Sequence, residues 1–314
     1  MNPLTSIFGA GVRIKNTLYD RQIFRSKKLQ GGVISVGNLS VGGSGKTPFV
    51  LMLGELLKAR GIAFDILSRG YGRQTRGVAP VNPNGTPQEF GDEPLLMARR
   101  LEVPVIVGEN RHEAGVLAER TYGPQLHLLD DGFQHRALSR DFDIVLVAPE
   151  DFDDRLLPSG RLRETPASLR RADAVVFTND SSSAGLPFNN KLVWRVRRGI
   201  TPQNVPARPV AFCGIARPRN FVSQLRTVGI DPVAERFYRD HHSFTERDVS
   251  ELLEIRQRSG ATGFVTTEKD AINLGHHLST LDPISVVPVQ MELLDAANAV
   301  DTMLSMMAKR KRLA

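Results

Sequence analysis

A glycine-rich loop near the N-terminus constrains the fold of this sequence more than any other feature. Residues Ser40–Thr47 read Ser-Val-Gly-Gly-Ser-Gly-Lys-Thr, after an apolar stretch at Gly32–Val36 and before a Leu- and Met-rich stretch at Phe49–Arg60. A strand, such a loop and a helix in this order are the context of a P-loop, in which glycine lets backbone N–H groups turn towards phosphate oxygens. The sequence therefore predicts a phosphate-binding loop.

The side chains of this loop have separate expected roles. The Lys46 ammonium is expected to reach the β- and γ-phosphates of a nucleotide, and the Thr47 hydroxyl to bind Mg²⁺. Pro48 is compatible with the first turn of a helix, where a missing N–H costs least. The motif departs from its consensus at Ser40, where glycine is usual. The residues predicted to bind the nucleotide here are Gly42, Gly43, Ser44, Gly45, Lys46, Thr47 and Pro48.

Two adjacent carboxylates supply the acidic partner that a P-loop needs. Asp130 and Asp131 end an apolar stretch that includes Leu128 and Leu129. An acid at the end of a strand beside a P-loop holds Mg²⁺ or its waters, so both aspartates are candidate metal ligands. The alternative is a turn in which the pair caps the loop at Gly132.

Apolar segments alternate with helical patterns through the first half of the chain. Helices are predicted at Phe49–Arg60 and Glu93–Leu101. This alternation predicts an α/β fold with a parallel sheet flanked by helices. Further strands are predicted at Ala63–Leu67, Val103–Val107, Gln125–Leu129, Phe142–Val147 and Ala174–Phe177.

The pattern changes after Ser181–Gly185. Residues Lys191–Arg198 alternate like a two-stranded ribbon, residues 202–209 are rich in proline, and shorter strand and helix signals follow. The sequence predicts an N-terminal segment, a nucleotide-binding domain, a linker and a smaller C-terminal α/β domain. Their predicted bounds are 1–30, 31–190, 191–208 and 209–314.

The N-terminal segment mixes apolar and basic residues, for example Ile7 and Ile14 beside Arg13 and Lys15. Such a pattern is typical of a helix that lies on a membrane surface. The alternative is a helix that packs on its own domain with solvated charges. No run of 18 or more apolar residues occurs in the sequence, so no transmembrane span is expected.

The charge balance favours phosphate-rich partners. The chain has 41 basic and 34 acidic side chains, a formal net charge of +7, which suits nucleotides, nucleic acid or an anionic lipid surface. The sequence has neither an aromatic-studded basic stripe nor a base-reading motif, so no nucleic-acid partner is predicted. Cys213 is the only cysteine, which excludes a disulfide within the chain and a thiolate metal cage.

Seven segments of the chain carry distinctive motifs, namely Gly37–Pro48, Leu67–Arg73, Gly91–Pro94, Asp130–His135, Leu157–Glu164, Asp240–Phe244 and Thr266–Asp270. In this order along the chain, they resemble the tetraacyldisaccharide 4′-kinase family. The resemblance extends over nearly the whole chain, and the family shares the serine at the position of Ser40.

The resemblance implies a RecA-like P-loop domain joined by a two-stranded linker to a smaller second domain. It implies transfer of the γ-phosphate of ATP, with Mg²⁺, to the 4′-hydroxyl of a tetraacylated glucosamine disaccharide 1-phosphate, giving lipid IVA. The implied place is the cytoplasmic face of the bacterial inner membrane, as a peripheral or monotopic protein with no obligate protein partner.

The resemblance also implies roles for single residues. Asp92 matches the base and His241 the histidine that supports it, although a carboxylate at the position of Asp92 is also a typical helix cap. Arg111 and His135 match nucleotide-side positions, and Glu164 matches a position near the metal. The implied catalytic residues are Asp92, His241 and Lys46.

Two other functions are compatible with the motifs. The first is that of another P-loop NTPase, such as a GTPase, or of a small-molecule kinase that acts at the membrane surface. Against a GTPase, the guanine-reading Asn-Lys-x-Asp motif is absent from the sequence. A nucleotide-binding module without enzymatic activity is the third alternative, with Lys309–Arg312 as its basic docking element.

Overall fold

The structure, a computed structural model, describes residues 3–178 and 191–313. The helices are α1 Pro3–Asp20, α2 Lys46–Lys58, α3 Pro87–Phe90, α4 Asp92–Leu101, α5 Arg111–Tyr122, α6 Pro218–Thr227, α7 Glu246–Ser259, α8 Glu268–Leu274 and α9 Ala296–Leu313. The strands are β1 Val33–Asn38, β2 Phe64–Ser68, β3 Ala79–Pro80, β4 Val105–Val107, β5 Leu126–Asp130, β6 Phe142–Leu146, β7 Ala174–Thr178, β8 Leu192–Ile200, β9 Pro209–Cys213, β10 Ala234–Phe237, β11 Gly263–Thr267, β12 Ile284–Val287 and β13 Val289–Leu293. Short 3₁₀ helices lie at Pro149–Phe152, Pro166–Arg171 and Gly275–Leu281.

Within the described residues, the larger sheet has nine strands in the order β13-β8-β7-β6-β1-β5-β2-β4-β3. The edge strands β3 and β13 are antiparallel to their neighbours, and the strands between them are parallel. All six residues of β1 are buried. Burial on both faces explains why these strands read as continuous apolar runs. The predicted α/β fold with a mostly parallel sheet is confirmed.

The smaller sheet consists of four parallel strands in the order β10-β9-β11-β12. Its two faces are buried in separate apolar clusters. Phe212 and Phe264 pack with Leu252 of α7, whereas Val265 packs with Leu225 of α6. Helices on both faces therefore bury this sheet as well.

The chain returns to the larger sheet after β12. Strand β13 pairs with β8, and Val300 and Met303 of α9 are buried in the same cluster as Phe142 and Trp194. The C-terminal domain at 209–314 stays a prediction; within that range, the apolar face of α9 packs beside β6 of the larger sheet.

Part of the predicted linker at 191–208 is a strand of the larger sheet. Residues 192–200 form β8, which pairs with β7 on one side and β13 on the other. The predicted pattern change at Ser181–Gly185 lies outside the described residues. The predicted division into domains stays a prediction. The strands of the smaller sheet, β9 to β12, lie within residues 209–287.

A buried histidine joins β2 and β5 at the end of the larger sheet opposite to the glycine-rich loop. His127 Nδ1 lies 2.8 Å from Asp65 Oδ1, and its Nε2 lies 3.2 Å from Glu119 Oε1. Burial lowers the pKa of His127, but the carboxylates of Asp65 and Glu119 raise it, so that its pKa lies above the ordinary value. Protonation of this imidazole therefore stabilises the fold.

We expect this histidine to give the stability a pH dependence of known sign. A raised folded-state pKa contributes stability that is complete below about pH 6.5 and is lost as the pH rises through the folded pKa. Urea unfolding between about pH 6 and about pH 9 should show a steeper loss of free energy of unfolding in the wild type than in His127→Gln. Parallel pH profiles for the two proteins would contradict this assignment.

Candidate active site

The glycine-rich loop leaves the C-terminal end of β1 and leads directly into α2. Gly42, Gly43 and Gly45 have φ angles of 78°, 58° and 80°, in the left-handed region where a β-carbon is costly. Helix α2 begins at Lys46, with Pro48 in its first turn. Since the N-cap residue Gly45 has no side chain to bind the first backbone N–H groups, these donors are available to an anion.

Lys46 lies among polar partners at the loop. Its Nζ donates to Asn38 Oδ1 at 3.0 Å and to Ser44 Oγ at 3.4 Å, and it lies 3.4 Å from Asp131 Oδ1. The side chain is only 15% exposed. Its charge is therefore held at the loop by contacts that a phosphate oxygen can replace.

Asp130 is the last residue of β5 and is buried. Ser68 Oγ donates to its Oδ2 at 2.9 Å, while Oδ1 has no hydrogen-bond partner among the described residues. Burial, and then the carboxylates of Glu93 and Asp131, raise the pKa of Asp130 to about 7. A buried carboxylate oxygen without a donor is costly unless a cation binds it, and oxygen ligands of this kind suit Mg²⁺.

Asp131 differs from its neighbour because cations surround it. Arg163 Nη1 donates to the two carboxylate oxygens of Asp131 at 2.9 and 2.7 Å, and Lys46 Nζ lies 3.4 Å from Oδ1. Burial would raise the pKa of Asp131, but the Lys46 and Arg163 charges lower it below the ordinary value. Asp131 therefore stays ionised over the neutral pH range.

Asp92 and His241 meet across the two sheets. Asp92 is the first residue of α4, and His241 follows β10 with a φ of 58°. The imidazole Nδ1 lies 3.0 and 2.9 Å from the two carboxylate oxygens, and because a carboxylate only accepts, Nδ1 carries the proton. Burial would raise the pKa of Asp92, but the hydrogen bond from His241 and the Lys269 charge lower it.

Two side chains of α8 complete the surroundings of this pair. Asn273 Nδ2 donates to Asp92 Oδ2 at 3.0 Å. Lys269 Nζ lies 3.8 Å from Asp92 Oδ2 and 3.2 Å from His241 Nε2, and it donates to Asp240 Oδ1 at 2.8 Å. Asp92 is therefore fixed by three side chains of the smaller sheet's elements.

Arg111 and His135 present nitrogen atoms without partners. Arg111 begins α5 and is buried; its Nη1 donates to the carbonyls of Gly108 and Glu109 at 3.2 and 3.0 Å, whereas its Nε has no partner in residues 3–178 and 191–313. Burial, and then the Arg111 charge, lower the pKa of His135 to about 4. The His135 Nε2 is buried and likewise lacks a partner in the described part of the chain. The imidazole is therefore neutral near pH 7.

Glu164 has different hydrogen-bond partners from those of Asp130 and Asp131. Arg171 donates to both of its oxygens at 2.9 and 3.0 Å, and Asn16 and Ser168 donate to Oε2 at 2.7 and 2.8 Å. No group of three or more His, Cys, Asp or Glu side chains able to hold a metal ion occurs in the described residues. The structure thus gives Glu164 the contacts of a buried ion pair that anchors α1.

Four polar residues of the site were not predicted as site residues. Asn38 and Ser68 are the last residues of β1 and β2, and ligands of parallel α/β sheets bind at the carboxyl ends of the strands. That rule could have identified both. Lys269 and Asn273 lie one turn apart on α8, and nothing local to the sequence connects them with Asp92.

A glycine-rich loop between a central parallel strand and a helix, with a carboxylate pair at the end of the neighbouring strand, defines a P-loop nucleotide-binding protein. The family model described as "Tetraacyldisaccharide-1-P 4'-kinase" matches residues 1–308. The chain belongs to this family, as its motifs predicted.

Similar proteins agree with this assignment over the full chain. A tetraacyldisaccharide 4′-kinase of Koribacter versatilis is 49% identical and covers 99% of this chain and 100% of its own. One of Geobacter metallireducens is 37% identical, with 92% of each chain covered. The crystal structure of an "apo" form of LpxK from Aquifex aeolicus in complex with ATP has a TM-score of 0.80 and 34% identity, over 97% of both chains.

Proposed function

We propose that this chain transfers the γ-phosphate of ATP to the 4′-hydroxyl of a tetraacyldisaccharide 1-phosphate and so makes lipid IVA. The names of the relatives and the ATP in the similar structure support this function. The observation that carries it is the buried Asp92–His241 pair. The next residue, Glu93, raises the pKa of Asp130, so the start of α4 lies near the acid pair and the glycine-rich loop.

The proposed reaction uses Asp92 as a proton acceptor. A sugar hydroxyl is a poor nucleophile at neutral pH and must lose its proton as its oxygen attacks the γ-phosphorus. Asp92 takes this proton, the bond from the γ-phosphorus to the ADP oxygen breaks, and ADP leaves. His241 holds the carboxylate through its Nδ1 proton, and Lys46 balances the charge that develops on the phosphate oxygens.

Thr47, Asp130 and Asp131 are proposed to hold Mg²⁺. The unpartnered Asp130 Oδ1 supports the fit, and bound Mg²⁺ supplies positive charge to the phosphates. Glu164 stays a proposed residue near the metal; like Asp131, whose oxygens accept from Arg163, it carries hydrogen bonds from other side chains in this structure, here Arg171, Asn16 and Ser168. Arg111 Nε and His135 Nε2 have no hydrogen-bond partner among the described residues, which favours both side chains as donors to the nucleotide.

The proposed place of action is the cytoplasmic face of the bacterial inner membrane, with α1 on the lipid. Ile7 and Ile14, two turns apart, share a face of α1 and are 68% and 60% exposed. Polar contacts such as that of Asn16 with Glu164 fix the helix to the protein on another side. In the described part of the chain, no helix is long and apolar enough to span a membrane.

The function is tested by incubating the protein with ATP, Mg²⁺ and the tetraacyldisaccharide 1-phosphate. Mass analysis should show one added phosphate on the lipid and an equal amount of ADP. ATP hydrolysis that is indifferent to the lipid, with no phosphorylated product, would exclude the kinase and leave a nucleotide hydrolase.

We expect the exposed apolar face of α1 to carry the attachment to vesicles. Ile7→Glu should weaken binding to anionic phospholipid vesicles by about 10- to 100-fold, since burial of an isoleucine contributes about 1.5–3 kcal/mol. Ser6 is exposed on the neighbouring face, so Ser6→Glu introduces the same charge and serves as the matched control. Sedimentation with vesicles measures both. Equal binding of the two variants would show that α1 serves only as a packing element.

A further inference from the structure

The loop that follows β9 covers the glycine-rich loop from the side of the smaller sheet. A β-carbon placed on Gly43 would lie 3.2 Å from Arg217 Nε, and one placed on Gly42 would lie 3.7 Å from the Ala216 side chain. Both glycines have positive φ angles. The Arg217 side chain, up to its Nε, therefore lies directly against the backbone of the glycine-rich loop.

Arg217 and Arg198 are two cationic side chains without a carboxylate partner in the described residues. Within the described ranges, neither Arg217 nor Arg198 has a carboxylate at ion-pair distance, and Arg198 Nε is buried with no hydrogen-bond partner. Burial, and then the Arg217 charge, lower the pKa of Arg198. Lys46, by contrast, is balanced by Asp131. Arg198 pairs with Met291 across β8 and β13, and a β-carbon placed on Gly45 would lie 2.7 Å from the Met291 methyl group, so the strand that carries Arg198 also reaches the glycine-rich loop. An anion bound at this loop would reduce the repulsion between the two guanidinium groups.

We propose that Arg217 binds phosphate oxygens of the nucleotide in the glycine-rich loop, with Arg198 as a second positive charge. A guanidinium presents its donors in a planar fork that matches phosphate oxygens. The phosphates would then be bound from two sides, by Lys46 from the larger sheet and by Arg217 from the smaller. This inference rests on the proposed function, because it requires a nucleotide in the loop.

The same loop is bonded directly to the residue that supports the proposed base. Gly214 O accepts a hydrogen bond from the backbone N–H of His241 at 3.2 Å, and the Gly214 N–H donates to Asp270 Oδ1 at 2.7 Å. The short stretch from Gly214 to Arg217 thus connects the phosphate site with His241. Phosphate binding by Arg217 would hold His241 in place against Asp92, so Arg217 acts on the base as a positioning residue.

The test compares nucleotide affinities without any lipid acceptor. Arg217→Ala should weaken ATP binding by about 10- to 100-fold, the effect of losing a hydrogen bond to a charged group, and should change the affinity for AMP by less than about threefold. Arg219, exposed on the first turn of α6, provides the control, and Arg219→Ala should bind ATP like the wild type. Isothermal titration calorimetry with ATP and AMP, beside a melting curve for each variant, gives these values.

Two further variants keep the result interpretable. If Arg217→Ala does not fold, Arg217→Lys, which keeps the charge but loses the fork, should still bind ATP more weakly than the wild type. Arg198→Ala should weaken ATP binding less than Arg217→Ala does. Unchanged ATP affinity in folded Arg217 variants would overturn the inference and leave the kinase function standing. A wild type that binds ATP but phosphorylates no lipid would overturn the proposed function and leave this inference standing.

Discussion

Lys46→Ala is expected to lower phosphoryl transfer by at least about 10³-fold, because removal of one preorganised donor at developing charge costs about 10²- to 10³-fold and Lys46 carries a full charge. The lysine is held at the loop by Asn38, Ser44 and Asp131, so its ammonium already lies where the proposed function places the phosphates. The fold should persist, since Arg163 still pairs with Asp131 in the variant. Turnover on the lipid acceptor, measured beside a melting curve, tests both statements.

The control for this variant is Lys309→Ala. Lys309 is exposed on α9, away from the loop, and its loss changes the net charge by the same amount. It should retain normal turnover. Near-normal turnover in a folded Lys46→Ala protein would remove Lys46 from the catalytic residues.

Asp92→Asn should lower turnover by about 10²- to 10⁴-fold, the usual contribution of general acid–base assistance. The amide keeps the shape of the carboxylate but does not accept the proton of the sugar hydroxyl. ATP affinity should change little, because the proposed phosphate site is the glycine-rich loop and not α4. Single-turnover kinetics with saturating ATP and lipid measure the chemical step.

The structure also gives reasons against a purely capping role for Asp92. Gly91 occupies the N-cap position of α4, and Asp92 is the first residue inside the helix. Both of its oxygens lie within hydrogen-bond distance of His241 Nδ1. A helix cap would contribute about 1 kcal/mol to stability and nothing to turnover. A variant with a lower melting temperature but normal saturated turnover would therefore favour the cap.

A double-mutant cycle tests whether His241 acts through Asp92. His241→Ala should also lower turnover, and the double variant should lose less than the product of the two single losses, because residues that act as a unit are not additive. Multiplicative losses would leave Asp92 as the base but deny it the support of His241. The same cycle with Asn273 or Lys269 in place of His241 gives a comparison, since both side chains also contact Asp92.

The glycine-rich loop and the class of fold could be predicted from the sequence because their causes are local. The positive φ angles of Gly42, Gly43 and Gly45 require residues without a β-carbon, and strands buried on both faces require continuous apolar runs. The acid pair follows from the same logic, since Asp130 ends a buried strand. In each case, neighbours in the chain are also neighbours in the site.

Contacts between residues far apart in the chain became known only from the tertiary structure. Asp92 and His241 are 149 positions apart, and Arg217 reaches the glycine-rich loop only because the smaller sheet lies against it. Helix α9 could not be assigned to a sheet from its own residues, because an amphipathic helix shows that one of its faces is buried but not what buries it. The family resemblance placed Glu164 near the metal, which stays a prediction, whereas its bonds to Arg171 and Asn16 depend on packing. The sequence by itself determined a glycine-rich loop in a mostly parallel sheet. Tertiary packing decided which side chains surround this loop, because contact between remote residues depends on how the sheets pack and not on local spacing.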